Sequence, residues 1–276
     1  MNIRNYIGIM SGTSMDGADA VLIRMEGSRW LKAVSHAFIP YSDDLRHELL
    51  DLQNIGNNEL HRSMLLSQKL SCLYADTVSL LLKQTNLQAH DIDAVGCHGQ
   101  TVRHTPEAGY SIQLADLPLL AHLTGIFTIG DFRSRDLAAG GQGAPLVPAF
   151  HQALFQSDSE TRVVLNIGGI SNISVLPNSS PAFGFDTGPG NMLSDAWMQA
   201  IWQRPYDKDG LIAATGTVLP ELLTRLLDHP YFSSPYPKST GRELFSLDWL
   251  KSRLNGGEKP EDILRTLLKF TAQTIY

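Results

Sequence analysis

Two glycine-rich loops in this sequence have the residue types needed to bind phosphate. The first, residues 12–19, has the sequence Gly-Thr-Ser-Met-Asp-Gly-Ala-Asp and lies between short apolar runs. Gly12 and Gly17 permit positive φ angles and a close approach of the backbone to a ligand, and successive N–H groups in such a turn bind anions. The carboxylates of Asp16 and Asp19 could hold a hydrated Mg²⁺. For this stretch alone, the alternative is a hairpin whose glycines only satisfy turn geometry.

The second loop lies near the middle of the chain and has the same form. Residues 165–174 have the sequence Leu-Asn-Ile-Gly-Gly-Ile-Ser-Asn-Ile-Ser, again an apolar strand, a turn of small residues and a second strand. This duplication indicates that each half of the chain begins with a glycine-rich hairpin. Two hairpins facing one another would clamp the phosphates of a nucleotide, so the pattern favours a kinase. The predicted nucleotide-binding residues are Gly12, Thr13, Ser14, Met15, Asp16, Gly17, Ala18, Asp19, Gly168 and Gly169.

Asp186 is the candidate general base. It lies in the sequence Phe-Gly-Phe-Asp-Thr-Gly-Pro-Gly-Asn at residues 183–191, shortly before a predicted helix at Met192–Trp202. Phe183 and Phe185 are expected to shield the carboxylate from water, which would make it a better base. The Pro-Gly pair is expected to leave backbone N–H groups open to an anion. The alternative for Asp186 is a helix N-cap.

Polar residues that follow predicted strands are candidates for binding a substrate. His98 and Gln100 come from a His-Gly-Gln-Thr sequence at the end of a strand predicted at residues 93–98, and open α/β sheets bind ligands at such strand ends. His98 could bond a sugar hydroxyl or be structural. Arg133 could grip a substrate carboxylate with its guanidinium fork, and the alternative is a surface ion pair with Asp131.

Two residues around the start of the predicted helix that follows Asp186 are further candidates. Asn191 and Asp195 lie about one turn beyond the base and could orient it or hold metal-bound water. The full set of predicted substrate-binding residues is His98, Gln100, Arg133 and Asn191.

The composition argues against several other classes of function. A net charge of -6 provides no basic surface for nucleic acid or anionic membrane. The two cysteines, Cys72 and Cys97, cannot form a disulfide framework, and no signal peptide or membrane span is evident at the N-terminus. The nine histidines lack zinc-like spacing, and neither a P-loop nor a hydrolase serine elbow is present. A cytoplasmic location is predicted.

The order of elements predicts an α/β fold with two domains. The 276 residues exceed what one core usually holds, and three initial strands are expected to be antiparallel neighbours. A polar stretch at residues 156–161 is the predicted boundary, which gives domains at 1–157 and 158–276. Residues 138–145 are predicted to be a flexible loop. Further strands are predicted at residues 6–10, 20–25, 31–39, 110–114, 125–129 and 162–167, and helices at 45–52, 58–83, 116–123 and 146–155. Ser42 and Asp43 are predicted to cap the first of these helices.

Five ordered motifs together resemble the anhydro-N-acetylmuramic acid kinase family. They are Ile-Met-Ser-Gly-Thr-Ser-Met-Asp-Gly at 9–17, His-Gly-Gln-Thr at 98–101, Gly-Asp-Phe-Arg at 130–133, Asn-Ile-Gly-Gly-Ile-Ser-Asn at 166–172 and Phe-Asp-Thr-Gly-Pro-Gly-Asn at 185–191. The resemblance implies two RNase H-like, actin-like ATPase domains, with mixed sheets flanked by helices, around a central cleft. It also implies an ATP-dependent kinase that opens the 1,6-anhydro ring with water and phosphorylates O6, giving N-acetylmuramic acid 6-phosphate in peptidoglycan recycling.

The resemblance assigns roles to individual residues. Residues 12–19 match the family's ATP-binding segment, Asp186 its catalytic carboxylate, and Arg133 an arginine in the substrate cleft. It further implies ATP and Mg²⁺, the latter through Asp16 and water, and a homodimer. Members of the family continue beyond Tyr276 with a Gly-rich adenosine-binding stretch, so the second domain is expected to be incomplete.

Two alternatives stay open at this stage. One is a kinase of the same fold that acts on another sugar or on a carboxylic acid. The other is a nucleotide-regulated, actin-like interaction protein, for which a large exposed apolar patch would be more typical than an acceptor pocket.

Overall fold

The chain forms two compact units, each with its own hydrophobic core. A computed structural model describes residues 3–12, 15–241 and 244–276. The first unit is Met1–Gly143 and the second is Ala144–Tyr276. Helices flank the sheet of each unit, so the predicted mixed α/β architecture is confirmed.

The first unit is built on a mixed sheet in which β1 lies at the centre. Strand β1 runs antiparallel to β2 and parallel to β4, and the order across the sheet is β3-β2-β1-β4-β5, with β6 also paired to β4. Within β2, Ala18, Ala20 and Leu22 are buried on alternate positions, as expected of a strand with one face against a core. The strands are β1 (Ile3–Ser11), β2 (Gly17–Glu26), β3 (Arg29–Pro40), β4 (Ala94–Thr105), β5 (Tyr110–Leu114) and β6 (Thr128–Gly130).

In the described part of the first unit, four α-helices accompany this sheet, and the longest of them contributes six buried side chains to the core. Leu66, Leu70 and Tyr74 of this helix are buried in one cluster with side chains of the sheet. Ser42 caps the first helix by accepting a hydrogen bond from the Leu45 N–H at 3.2 Å, as the sequence predicts. The helices are α1 (Asp43–Asp51), α2 (Glu59–Thr85), α3 (Leu117–Thr124) and α4 (Phe132–Ala138).

The second unit has an antiparallel sheet and a largely helical core. Its strands pair in the order β7-β8-β9. Trp197, Phe245 and Phe270 are buried in its core. Its elements are α5 (Pro148–Phe155), β7 (Arg162–Ile167), β8 (Ile170–Leu176), β9 (Phe183–Pro189), α6 (Met192–Trp202), α7 (Pro220–Leu227), α8 (Pro230–Ser233), α9 (Leu247–Ser252) and α10 (Pro260–Ile275).

The division between the units falls earlier in the chain than the predicted 157/158 boundary. Helix α5 lies with the second unit because it packs on β8 and β9. An added Cβ on Gly184 of β9 would lie 2.8 Å from the Pro148 ring, which shows how closely the helix approaches the strand. Polar composition marks a loop between elements, but it does not show on which side the preceding helix packs.

Strand β4 is longer than predicted, and helix α4 was missed. The predicted strand ends at residue 98, whereas pairing with β5 continues β4 to Thr105. His98 and Gln100 therefore lie within the strand. Helix α4 starts after Asp131, which has a left-handed φ of 58° and no side-chain cap, so no usual start signal precedes it.

One finding bears on membrane association. Of the helices described, none alone has the length and apolar character of a membrane span, while the segments Lys208–Thr215 and Pro220–Leu227, bent by 119°, pass that test only as a pair.

Candidate functional site

The first glycine-rich loop connects β1 to β2, and its described part is tightly packed. Thr13 and Ser14 lie outside the described residues. Met15 has a left-handed φ of 53° and a completely buried side chain, whereas Asp16 is exposed. An added Cβ on Gly17 would lie 2.4 Å from the carbonyl oxygen of Ile39, so only glycine fits there.

Ala18 and Asp19 belong to the strand that follows the loop. Asp19 pairs with Met10 in the β1–β2 ladder, and its carboxylate contacts Nε2 of His36 at 2.7 Å. The turn that can approach a phosphate is therefore shorter than the predicted segment of residues 12–19.

Gln100 and Tyr41 hold the two ends of this loop. The Gln100 side chain donates to the carbonyl oxygen of Gly12 at 3.1 Å and accepts from the Tyr41 hydroxyl at 3.3 Å. The backbone N–H of Tyr41 donates to the carbonyl oxygen of Asp16 at 3.0 Å. Gln100 has no exposed surface, so its position is behind the loop and not on a surface open to substrate.

Tyr41 and Tyr74, which were not predicted from the sequence, complete the support of this loop. The Ser11 and Tyr74 hydroxyl oxygens are 2.8 Å apart, and both residues are buried. Burial is the main reason why the pKa of each tyrosine is raised, so both hydroxyls keep their protons for hydrogen bonding. Tyr41 directly follows β3 and Tyr74 lies within α2, so no local motif identifies them.

The second glycine-rich loop, between β7 and β8, is bound to the start of α6. The Gly168 carbonyl oxygen accepts the Asn191 N–H at 2.8 Å, and the Gly169 carbonyl oxygen accepts the N–H groups of Gly190 and Met192 at 2.8 and 3.1 Å. The prediction that these helix-start N–H groups are open to an anion is wrong, because carbonyl groups of the loop occupy them. The side chain of Asn191 is exposed.

Asp186 lies inside strand β9, so the alternative of a helix N-cap is wrong. Its side chain is 7% exposed, and Oδ2 accepts the Thr240 N–H at 3.0 Å. Its backbone is held on both sides: the carbonyl accepts the Tyr231 hydroxyl at 2.6 Å, and the N–H donates to the Lys238 carbonyl at 3.0 Å. The result is a buried carboxylate with a fixed orientation.

The source of this burial differs from the prediction. Neighbouring residues of a strand point to opposite faces, and the rings of Phe183 and Phe185 both stack on Tyr236 at 5.3 Å between centroids. These rings therefore do not cover the Asp186 carboxylate. Tyr231 lies close enough for electrostatic coupling, since burial first and the Asp186 charge second raise the pKa of its hydroxyl.

His98 and Arg133 are in direct contact. Nδ1 of His98 lies 2.7 Å from the Gly99 carbonyl oxygen, and Nε of Arg133 donates to Nε2 of His98 at 3.1 Å. Burial, and secondarily the Arg133 charge, lower the pKa of His98 to about 4, so the ring is neutral near pH 7.

The loop after α4 is folded against that helix. Arg133 Nη1 donates to the Gly143 carbonyl oxygen at 2.5 Å, and Asp136 Oδ2 accepts the Gly143 N–H at 2.7 Å. An added Cβ on Gly141 would lie 2.1 Å from Asp136 Oδ2. The segment that was predicted to be flexible thus has specific hydrogen bonds to α4.

A cavity in the first unit lies beside His98. Its volume is about 490 Å³, which is in the range of small-molecule sites. Asp131 and Ser134, at the start of α4, line it together with Gln113 of β5.

The family model and the curated relatives that this chain matches agree on one family. A family model described as anhydro-N-acetylmuramic acid kinase matches residues 4–276. The anhydro-N-acetylmuramic acid kinase of Neisseria meningitidis serogroup C (strain 053442) is 72% identical over 276 residues, which are 100% of this chain and 75% of that protein. The enzyme of the same name from Nitrosomonas europaea is 53% identical over 272 residues, covering 98% of this chain and 75% of its own.

A solved structure also aligns with most of the chain. The Aquifex aeolicus member of the Ppx/GppA family aligns with 99% of this chain and 91% of its own, at 9% identity and a TM-score of 0.37.

Proposed function

The chain belongs to the anhydro-N-acetylmuramic acid kinase family, and we propose that it performs this family's sugar phosphorylation with Asp186 as general base. In the proposed reaction, water attacks the anomeric carbon and the bond from that carbon to O6 breaks. O6 then forms a bond to the γ-phosphoryl group of ATP, which leaves ADP. Asp186 takes the proton from water, and the sugar product is N-acetylmuramic acid 6-phosphate.

The observation that carries the role of Asp186 is a buried carboxylate held in one orientation. Its Oδ2 accepts the Thr240 N–H, and backbone contacts to Tyr231 and Lys238 fix the strand on which it lies. Because the surroundings already fix the position of this base, little conformational entropy is lost when it is oriented toward the reacting water. The burial of Asp186 also limits how many other waters can reach the carboxylate.

ATP binding is proposed for both glycine-rich loops. Gly17 lies against the Ile39 backbone, and Met15 has a left-handed conformation, so this turn has a defined shape. In the second loop, Gly168 and Gly169 are held by the start of α6. Such fixed turns present backbone N–H groups to phosphate without a large ordering cost.

Asp16 is the proposed Mg²⁺ contact, through water. It is exposed in the bend between β1 and β2, and the described ranges contain no group of three His, Cys, Asp or Glu side chains that could hold a metal ion by themselves. This donor set fits Mg²⁺, which retains several waters and binds through one or two carboxylates and substrate phosphates. Bound Mg²⁺ would neutralise charge on the phosphates during transfer.

Arg133 and Asn191 are the proposed substrate contacts. The guanidinium of Arg133 suits an anionic group such as a sugar carboxylate, and the exposed side chain of Asn191 can bond a hydroxyl. We leave Gln100 out of this set because it has no exposed surface. A cytoplasmic location and a homodimer remain proposals, which rest on the resemblance and on the cysteine usage, and fractionation and light scattering would test them.

Asp186→Asn is the direct test of the proposed base. We expect turnover to fall by about 10²–10⁴-fold, the usual contribution of a positioned base, while the Kd for ATP stays close to that of the wild type. Rates come from a phosphoryl-transfer assay with the anhydro sugar, and affinities from calorimetry.

Asp262→Asn is the matched control, because its carboxylate also accepts a backbone N–H, from Thr217 at 2.7 Å. That variant should keep wild-type turnover. Full turnover by the Asp186 variant would remove Asp186 from the role of base.

A further inference from the structure

Both ring nitrogens of His98 form hydrogen bonds with other groups of the protein. The Gly99 carbonyl oxygen can only accept, so the 2.7 Å contact places the proton on Nδ1. Nε2 then carries a lone pair, which accepts the hydrogen bond from Arg133 Nε at 3.1 Å. The neutral ring with its proton on Nδ1 satisfies both contacts at once, and the lowered pKa of about 4 agrees with that form.

The position of Gly99 fixes the carbonyl that selects this tautomer. Gly99 has a φ of +74°, and an added Cβ would lie 2.9 Å from the Leu114 carbonyl oxygen. A larger residue would therefore strain the backbone at this point. The orientation of the His98 ring is built into β4 and its pairing with β5.

Arg133 is held from a second direction by the folded loop after α4. Its Nη1 donates to the Gly143 carbonyl oxygen, and the Gly143 N–H in turn donates to Asp136 Oδ2. Because the guanidinium group is planar, fixed acceptors at Nε and Nη1 define the plane of the whole group.

We infer that His98 is a positioning residue that fixes the Arg133 guanidinium for an anionic group of the sugar substrate and does not itself bind the sugar. The inference rests on the proposed role of Arg133 in substrate binding. Recognition of a carboxylate by an arginine fork depends on the orientation of the fork, so the acceptor that orients it sets the affinity. His98 borders the 490 Å³ cavity, and with both nitrogens engaged it offers that cavity only ring carbons.

A double-mutant cycle separates positioning from direct binding. The variants are H98F, R133K and H98F/R133K in the full 276-residue chain, and the probe is 1,6-anhydro-N-acetylmuramic acid. We expect H98F to raise the Kd and KM for the sugar by about tenfold or more, since it removes a hydrogen bond to a charged group. The KM for ATP should stay at the wild-type value. In the R133K background, the His98 substitution should have no further effect, because the group it orients is absent.

Two more variants serve as controls. H98Q offers an amide oxygen as acceptor and should recover part of the affinity. H122F changes an exposed histidine of α3 in the same unit and should leave the sugar Kd unchanged.

The outcomes distinguish this inference from the proposed function. If H98F lowered the sugar affinity of the R133K variant by the same factor as it lowers that of the wild type, His98 would be an independent sugar ligand and the inference would be overturned. An R133K variant with wild-type sugar affinity would refute the proposed role of Arg133, and the inference with it.

A substrate-free measurement covers the case in which H98F does not fold. In ¹⁵N-histidine NMR spectra of the wild type, His98 should show a protonated Nδ1 and no titration above about pH 5. A proton on Nε2 would overturn the inference, whatever the activity.

Discussion

Replacing Tyr41 by phenylalanine would test whether the polar contacts behind the first loop control its shape. The change removes the hydroxyl that donates to Gln100 Oε1 at 3.3 Å, while the backbone N–H bond from residue 41 to the Asp16 carbonyl remains. A buried acceptor left without its donor costs about 1–3 kcal/mol. Because the lost contact is long, we expect the free energy of unfolding of the first unit to fall by about 1–2 kcal/mol.

Part of this loss should appear in ATP binding if the loop has its proposed role. Since about 1.4 kcal/mol corresponds to a factor of ten, the KM for ATP should rise by up to about tenfold, and the KM for the sugar should not change. Urea unfolding and initial rates at varied ATP measure the two effects. Tyr110→Phe is the control, because Tyr110 is an exposed tyrosine of the same unit. A Tyr41 variant with wild-type stability and wild-type KM for ATP would refute the reasoning.

Two further predictions concern other parts of the structure. Gly190→Ala should weaken ATP binding and lower the melting temperature of the second unit, because the added Cβ would lie 2.3 Å from the Gly168 carbonyl oxygen. Calorimetry measures both the ATP affinity and the melting temperature. Unchanged values of both would contradict this packing. Acid should destabilise the first unit through His98. The pKa of His98 is about 4 in the folded protein, against an ordinary value of 6.5 that applies to the unfolded chain. Between these two pH values the unfolded chain therefore binds more protons than the folded protein. This contribution is fully present above about pH 6.5 and is lost as the pH falls toward about 4, and urea unfolding across this range should show a shallower pH dependence for H98F. An identical pH dependence in both proteins would mean that His98 titrates normally.

Local signals in the sequence predicted many elements correctly. Strands β5 and β7 and helix α6 have the predicted bounds, because each combines a clear apolar pattern with glycine, proline or polar residues at its ends. The cap by Ser42 was predicted for the same reason, since capping involves residues only a few positions apart.

Contacts between distant residues account for what could not be predicted. The N–H groups at the start of α6 bond to a loop more than twenty positions earlier, and Nε of Arg133 bonds to a histidine on another element. Nothing in the spacing of these residues indicates such partners. The orientation of Asp186 was misjudged because residues adjacent in sequence were assumed to be adjacent in space, whereas a strand places them on opposite faces.

Met15 links the first loop to the interior of its unit. A left-handed backbone is unfavourable for a residue with a long side chain, yet the thioether of Met15 belongs to the same apolar cluster as Ile7 and Leu22. The buried side chain of Met15 therefore anchors the loop, and the conformation of the loop depends on how this side chain packs in the hydrophobic core. To graft this turn onto another scaffold, one would also have to transfer the apolar residues that surround the Met15 side chain.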